Sequence, residues 1–403
     1  MTAVVRLENR IQHYAWGSRT ALAELLGQPS PSPRPEAELW MGAHPVAPSQ
    51  VLLAEGPRPL SEWLAADPAA RLGRRALARF GPELPFLLKV IAAAQPLSIQ
   101  AHPDAAQAAA GFARENAAGL ALDAPQRSYR DARHKPELVC ALSTFHGLCG
   151  FRRPAEIRAL IDGLAAPRLA LLSARLAGDV EGRALRRALE SLLRMPEAVR
   201  RPVVEQAAEA SRRERDADPA YAWVARLHEL HPGDAGVLAP LFLNAIELAP
   251  GEALFLGAGV LHAYLEGSAI ELMANSDNVL RGGLTPKHVD VDELLRVLRF
   301  EPAPACRVSP RATSPGVTSY PTPALEFELS RLDVAGRLAV PRGVEPGIEL
   351  LLCAEGALEL RAGCGELLAL PRGASCAVAA EAGPYALRGQ GRAYRACAAA
   401  GPT

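Results

Sequence analysis

Two histidines, a glutamate and a glutamine are the residues of this chain best suited, by type and spacing, to do chemistry. From Leu97 to His102 apolar and polar residues alternate. On a strand, successive side chains take opposite faces, so Ser98, Gln100 and His102 share one face and Leu97, Ile99 and Ala101 the other. Glu137 opens a second, more apolar strand, with Pro136 where a missing N–H does least harm. His262 follows a Gly-rich turn at Gly257–Gly259. Two imidazoles, one carboxylate and one amide oxygen suit a divalent transition metal such as zinc. A structural zinc favours four Cys or His ligands, and none of the seven cysteines is suitably spaced, so the set reads as catalytic. With neutral His and Gln and one carboxylate, bound Zn²⁺ leaves the site near +1, able to stabilise a developing oxyanion. A histidine on a strand is more often packed and satisfied than a ligand, so spacing alone leaves both readings open.

The stretch from Gly257 to His288 concentrates further chemistry. It is apolar from Ile270 to Ala274, breaks at Asn275-Ser276-Asp277-Asn278, and continues with Arg281, Gly282-Gly283 and Lys287. Asn, Asp and Gly form turns, and the glycine pair is expected to let backbone approach a ligand closely. A polar loop between apolar strands is a candidate site, although a well-capped hairpin would look the same.

The elements that must position these residues read as mainly β with a helical insertion. Short strands and turns occupy residues 1–60, and residues 58–80 look helical, with Leu60, Leu64, Leu72 and Leu77 as apolar anchors. Pro85 to Ile91 is a continuous apolar run, as for a strand buried on both faces; Lys89 inside it is expected to pack its stem and expose its head. From about Pro154 to Leu230 the spacing of Ile157, Leu160, Ile161 and Leu164 is helical. Strand character returns at Leu241–Leu248. After Pro302, alternating segments punctuated by Gly and Pro suggest an antiparallel sandwich or barrel. The expected division is a discontinuous domain of 1–153 and 236–301, a helical domain of 154–235, and a β domain of 302–403. No histidine follows His288, so a second His-based metal site in the last domain is excluded.

Forty-four basic and 44 acidic residues cancel, which argues against nucleic acid or a membrane surface as partner. No apolar run approaches the ~20 residues of a membrane span. The N-terminus lacks a signal-peptide pattern, and seven cysteines without a CxxC pair suggest reduced thiols in a cytoplasmic protein. Only three of the 44 basic residues are lysines, Lys89, Lys135 and Lys287. Where Arg has replaced Lys generally, a remaining Lys is a candidate for chemistry that needs a compact, titratable amine; chance survival is the alternative.

At these residues the chain resembles the type I phosphomannose isomerases, zinc enzymes of the cupin superfamily. The matching blocks are QHYAWGS (12–18), ELWMGAHP (38–45), PLSIQAHPD (96–104), HKPELVCAL (134–142), LCGFR (148–152), LHAYLEG (261–267) and ELMANSDNVLRGGLTPKHVD (271–290). The resemblance implies two cupin-type antiparallel jelly-roll barrels plus an α-helical domain. It places one zinc per chain on Gln100, His102, Glu137 and His262. It departs at Arg133, where the family often carries Asn, a change that could alter how Lys135 is oriented.

The implied reaction interconverts mannose 6-phosphate and fructose 6-phosphate by moving a proton between C2 and C1 through an enediol(ate), on the way to GDP-mannose. Arg281 is the candidate for stabilising the enediolate or holding the sugar, its alternative being an ion pair with Asp277. Lys135, Asp277 and His134 are the candidate proton carriers. Ser98 and Lys287 could hold the phosphate, Trp16 could pack beside the sugar, and Glu271 could support the site or face solvent. Two His and a carboxylate also suit a non-haem Fe(II) cupin oxygenase, and a non-catalytic sugar-phosphate-binding protein would keep the same pocket. A monomer is expected.

Overall fold

The structure is a computed structural model that describes residues 2–178, 180–304, 307–363 and 365–399. Its strands pair antiparallel in one 11-stranded and one 10-stranded assembly, with helices inserted between strands. Among the described residues Cys140, Cys149, Cys353, Cys376 and Cys397 are free thiols, as expected; Cys306 and Cys364 lie outside them. No helix among them is long and apolar enough to cross a membrane.

The 11-stranded assembly carries the candidate site, and the strand His262–Ala274 is its spine. The first part of this strand pairs with Phe145–Phe151, the second with Phe86–Ala93 on one side and Glu137–Ala141 on the other. Between the two parts, Gly267 has φ 115°, and a Cβ there would stand 2.4 Å from the Thr144 carbonyl oxygen. Only glycine permits that conformation so close to backbone, and the chain passes from one set of partners to the other at this point.

Phe86–Ala93 is buried along its whole length, as its apolar run predicts. One face packs outward: Leu88 and Val90 join Leu138 and Leu272 in a core shared with Leu329, Leu351 and Tyr394 of the 10-stranded sheet. The other face, which includes Lys89, looks inward. The strand Ile99–Ala101 divides its faces in the same way. Ile99 and Ala101 are buried among Leu280, Leu241 and the helical block, which frees Gln100 to face the other side. That block comprises the helices Pro154–Gly163, Ala170–Arg175, Glu181–Leu193, Glu197–Arg213 and Pro219–Leu230, and buries Ile157, Ile161, Leu185, Val204 and Val224.

Two local features differ from the sequence reading. Residues 58–80 form three short helices, Leu60–Ala66, Pro68–Leu72 and Arg74–Phe80, because Asp67-Pro68 starts a new N-terminus and Gly73, at φ 87°, ends the second helix. Sheet membership also departs from the expected segments. The strand Val4–Glu8 pairs with Ser375–Val378 and carries Gln50–Leu53 and Gly56–Pro59 behind it, so part of the N-terminal segment lies in the C-terminal sheet.

Candidate metal centre

One ligand atom each from His102, Glu137 and His262 lies within 4.8 Å of the others, and all three residues are buried. His102 Nε2 is 3.3 Å from Glu137 Oε1, and His262 Nε2 is 3.4 Å from Oε2. Each ring is fixed by its other nitrogen: His102 Nδ1 donates to the Asn278 carbonyl at 2.7 Å, His262 Nδ1 to the Val260 carbonyl at 2.9 Å. A carbonyl only accepts, so Nδ1 carries the proton and a neutral ring turns its Nε2 lone pair toward Glu137. Burial, helped by the nearby Lys135 charge, pushes the His102 imidazolium down to about 4 against the pull of Glu137, so that ring is neutral at pH 7. Glu137 goes the other way. Burial would raise its carboxyl, but the Lys135 ammonium 3.1 Å from Oε1 outweighs this and holds it well below the usual range. Both Nε2 atoms and Glu137 Oε2 are buried without a hydrogen-bond partner. Three buried electron-pair donors facing one point fit a divalent cation.

Strand register extends the set. Gln100 is the cross-strand partner of His262 on one side and of Arg281 on the other. The strand bearing Arg281, Leu280–Gly283, depends on its glycines. A Cβ on Gly283 (φ 141°) would lie 2.8 Å from Asp234 Oδ1 and 2.9 Å from Gly236 backbone, and Asp234 Oδ1 accepts from Leu284 N at 3.0 Å. At Gly283 the close approach is to the 234–236 turn.

Lys89 lies deeper in the same interior, with its Nζ 3.1 Å from Glu271 and 3.6 Å from Glu38. It sits over the Trp40 ring, whose Nε1 donates to Glu38 at 2.5 Å. Its head is therefore buried, contrary to the sequence expectation, because the inward face of this strand meets two carboxylates instead of water. Burial alone would lower its pKa, but Glu271 and Glu38 raise it, so the ammonium persists. Glu271 does not face solvent. The Tyr264 hydroxyl is buried without a hydrogen-bond partner, and burial together with Glu271 and Glu137 keeps it protonated. Trp16 is half-buried, stacked on Tyr14 and packed against the cluster that contains Tyr264.

Toward the surface, Asp277 Oδ2 is 3.2 Å from His44 Nε2, and Arg281 is not its partner. Burial opposes ionisation of Asp277, but His44 outweighs it and lowers the carboxyl. Arg281 makes no side-chain ion pair or hydrogen bond among the described residues. Burial and the Arg130 charge lower its pKa; burial, Arg281 and Arg130 do the same to the exposed Lys287. Arg130, Arg281 and Lys287, near enough to feel one another's charge, make a field suited to an anion. Ser98 is half-buried just before Ile99–Ala101. A cavity of about 700 Å³ is lined by His44, Asp277 and Arg130, among others.

His134 turns elsewhere. Its Nε2 lies 2.7 Å from Glu326 Oε1, a residue that precedes the Glu328–Val340 strand of the other sheet. The Arg133 side chain reaches Glu83 at the surface, while its carbonyl accepts from Asn278 Nδ2 at 2.8 Å. The segment leading to Lys135 is thus held by backbone at this position, which accommodates Arg in place of Asn.

The profile for phosphomannose isomerase type I, catalytic domain, matches residues 4–154. The mannose-6-phosphate isomerase of Escherichia coli (strain K12) is 41% identical over 396 residues, 97% of this chain and 98% of the relative. The chain belongs to the type I phosphomannose isomerase family. The Homo sapiens mannose-6-phosphate isomerase is 35% identical, over 83% of this chain and 82% of its own length. Among solved phosphomannose isomerases, a zinc-bound mannose 6-phosphate isomerase superposes with a TM-score of 0.91 at 38% identity, covering 98% of this chain and all of the other. An alanine variant of phosphomannose isomerase from Salmonella typhimurium superposes equally well, with a TM-score of 0.91.

Sequence reasoning gave no role at this centre to Glu38, Trp40, His44 or Arg130, and noted Asn278 only as a turn residue and Tyr264 only as a neighbour of His262. Glu38 and Trp40 carried a signal: they sit two apart on a strand and so share a face. For Arg130 and Asn278, which meet only in the tertiary structure, there was none beyond turn propensity.

Proposed function

We propose that this chain interconverts mannose 6-phosphate and fructose 6-phosphate, with one zinc held by Gln100, His102, Glu137 and His262. The observation that carries the reading is the convergence of two carbonyl-fixed imidazoles and an ionised, buried carboxylate in a member of this family. When bound there, zinc supplies a Lewis acid for the oxygens at the reacting end of the sugar. Arg281, permanently charged and free of carboxylate partners, stabilises the negative charge of the enediol(ate). Lys135 and Asp277 are the proton carriers the geometry favours; His134, engaged by Glu326, is less suited to the task. Arg130 and Lys287, with the Ser98 hydroxyl, receive the phosphate. Trp16 and the Glu271–Lys89 pair line the sugar's other side.

In this reading each sheet assembly forms a cupin-type jelly-roll barrel. The catalytic barrel is drawn from 1–153 and 236–301, the helical domain from 154–235, and the second barrel from 302–403 with the N-terminal strands added. The protein acts as a cytoplasmic monomer on a small sugar phosphate. The oxygenase and the non-catalytic readings have no comparable observation behind them.

The test is a coupled isomerase assay with metal analysis. One zinc per chain and turnover abolished by a chelator are expected, and His262→Ala should lose both zinc and activity while keeping its fold. Stoichiometric zinc in His262→Ala removes that residue from the site. A zinc-loaded wild type that does not isomerise the sugar overturns the reading.

A further inference from the structure

Asn278 is fully buried, yet no sheet ladder accounts for its bonds. Its carboxamide oxygen accepts from Arg130 N at 2.7 Å and Asp131 N at 3.2 Å. Its carboxamide nitrogen donates to the carbonyls of Asp131 at 2.9 Å and Arg133 at 2.8 Å. Its own carbonyl receives His102 Nδ1 at 2.7 Å. The Asp131 carboxylate closes the unit from the other side, accepting from Ser276 Oγ and Asp277 N, both at 2.9 Å.

An oxygen that accepts twice and a nitrogen that donates twice to backbone match a primary amide and no other side chain of that size. The segment so gripped, 130–133, runs directly into Lys135 and Glu137, and Arg130 heads it. The segment that grips it contains Asp277 and leads to Arg281. Loops not paired in a sheet take their geometry from such side-chain bonds, and a buried network of this kind rigidifies only when every member is satisfied.

We infer that Asn278 is the positioning residue of the centre: its main chain sets the His102 ring, and its carboxamide sets the segment carrying Arg130, Lys135 and Glu137. The inference rests on the zinc isomerase reading for its kinetic consequence, but not for its metal-binding one.

The experiment compares wild type with Asn278→Ala and Asn278→Asp, each shown to be folded by circular dichroism. Asn278→Ala removes all the carboxamide bonds. Asn278→Asp keeps the shape and the acceptor, loses the donations to Asp131 and Arg133, and sets a second carboxylate against Asp131. Both substitutions leave the main-chain carbonyl that holds His102, so the loss reaches the metal through the segment that carries Glu137, and zinc competition against a chelator should show an affinity lower by ~10-fold or more. The zinc-saturated variants should lose ~10-fold or more in kcat and gain in KM, as Lys135 and Arg130 shift. A residue that merely fills space would lower the melting temperature and leave all three values alone. Folded variants with zinc affinity and kcat within about twofold of wild type overturn the inference. If Asn278→Ala does not fold, Asn278→Asp decides. If zinc-loaded wild type fails to isomerise the sugar, the functional reading falls while the zinc affinities still judge Asn278.

Discussion

Lys89 and Glu271 are direct register partners on adjacent strands, and their charged groups meet at 3.1 Å in the interior of the first sheet assembly. Glu38 at 3.6 Å and the Trp40 face complete the cage around the ammonium. Replacing Lys89 by Met would leave two carboxylates buried with no cation between them. Breaking a buried pair in this way costs about 3–5 kcal/mol, and Lys89→Met should show a loss of that order in urea unfolding. A loss below about 1 kcal/mol would be that of an exposed pair and would place the ammonium in water. Lys89→Arg, harmless if the head were exposed, should now perturb the site, because a planar guanidinium overfills the cage.

Lys135 holds the second buried ammonium, 3.1 Å from Glu137 Oε1. As a proton carrier it needs an amine that exchanges near neutral pH, which arginine does not supply. Lys135→Arg should therefore lose nearly as much turnover as Lys135→Ala. Rates measured across pH on enzyme of confirmed zinc content make the comparison. Most of the activity surviving in Lys135→Arg would move the proton carrier to Asp277.

Arg281 stands beside Gln100, and among the described residues no carboxylate occupies its fork. Arg281→Lys keeps the charge and loses the planar, two-pronged donor. Turnover should fall by ~10²-fold or more with a smaller change in KM, since the lost contact is made to the transition state. Turnover close to wild type would reduce Arg281 to scaffolding.

The His134–Glu326 contact gives the two sheets a pH-dependent tie. The Glu326 hydrogen bond raises the His134 pKa despite burial; burial opposes ionisation of Glu326, but His134 outweighs it and lowers the carboxyl. The histidine contribution is complete below its unfolded value of about 6.5 and is lost as pH rises through the raised folded value. The glutamate contribution is complete above about 4.3 and is lost as pH falls through the lowered one. Glu326→Gln should thus reduce stability most at about pH 5–6 and hardly at all at about pH 9, as read from paired thermal melts. An equal loss at both pH values would mean that the contact works without charge.

Much of the candidate centre was legible because side-chain direction on a strand is a local property. Alternation placed Gln100 opposite Ile99 and Ala101, and the structure buries that pair against the helices, whereas Ser98 and His102 fall just outside the strand Ile99–Ala101 and Leu97 packs in the Tyr264 cluster instead. Composition likewise separated the helical block from the β segments, since hydrophobic period needs only near neighbours. Partner choice was not legible. Nothing in the local pattern shows that His134 turns to Glu326, 192 positions away, while His102 turns to Glu137. The same limit hid Asn278, whose carboxamide meets Arg130 148 positions earlier, and led Lys89 to be read as a head in water. Local pattern determines the face a residue takes. What waits on that face is decided by strands and loops remote in sequence, brought there by the packing of the whole chain.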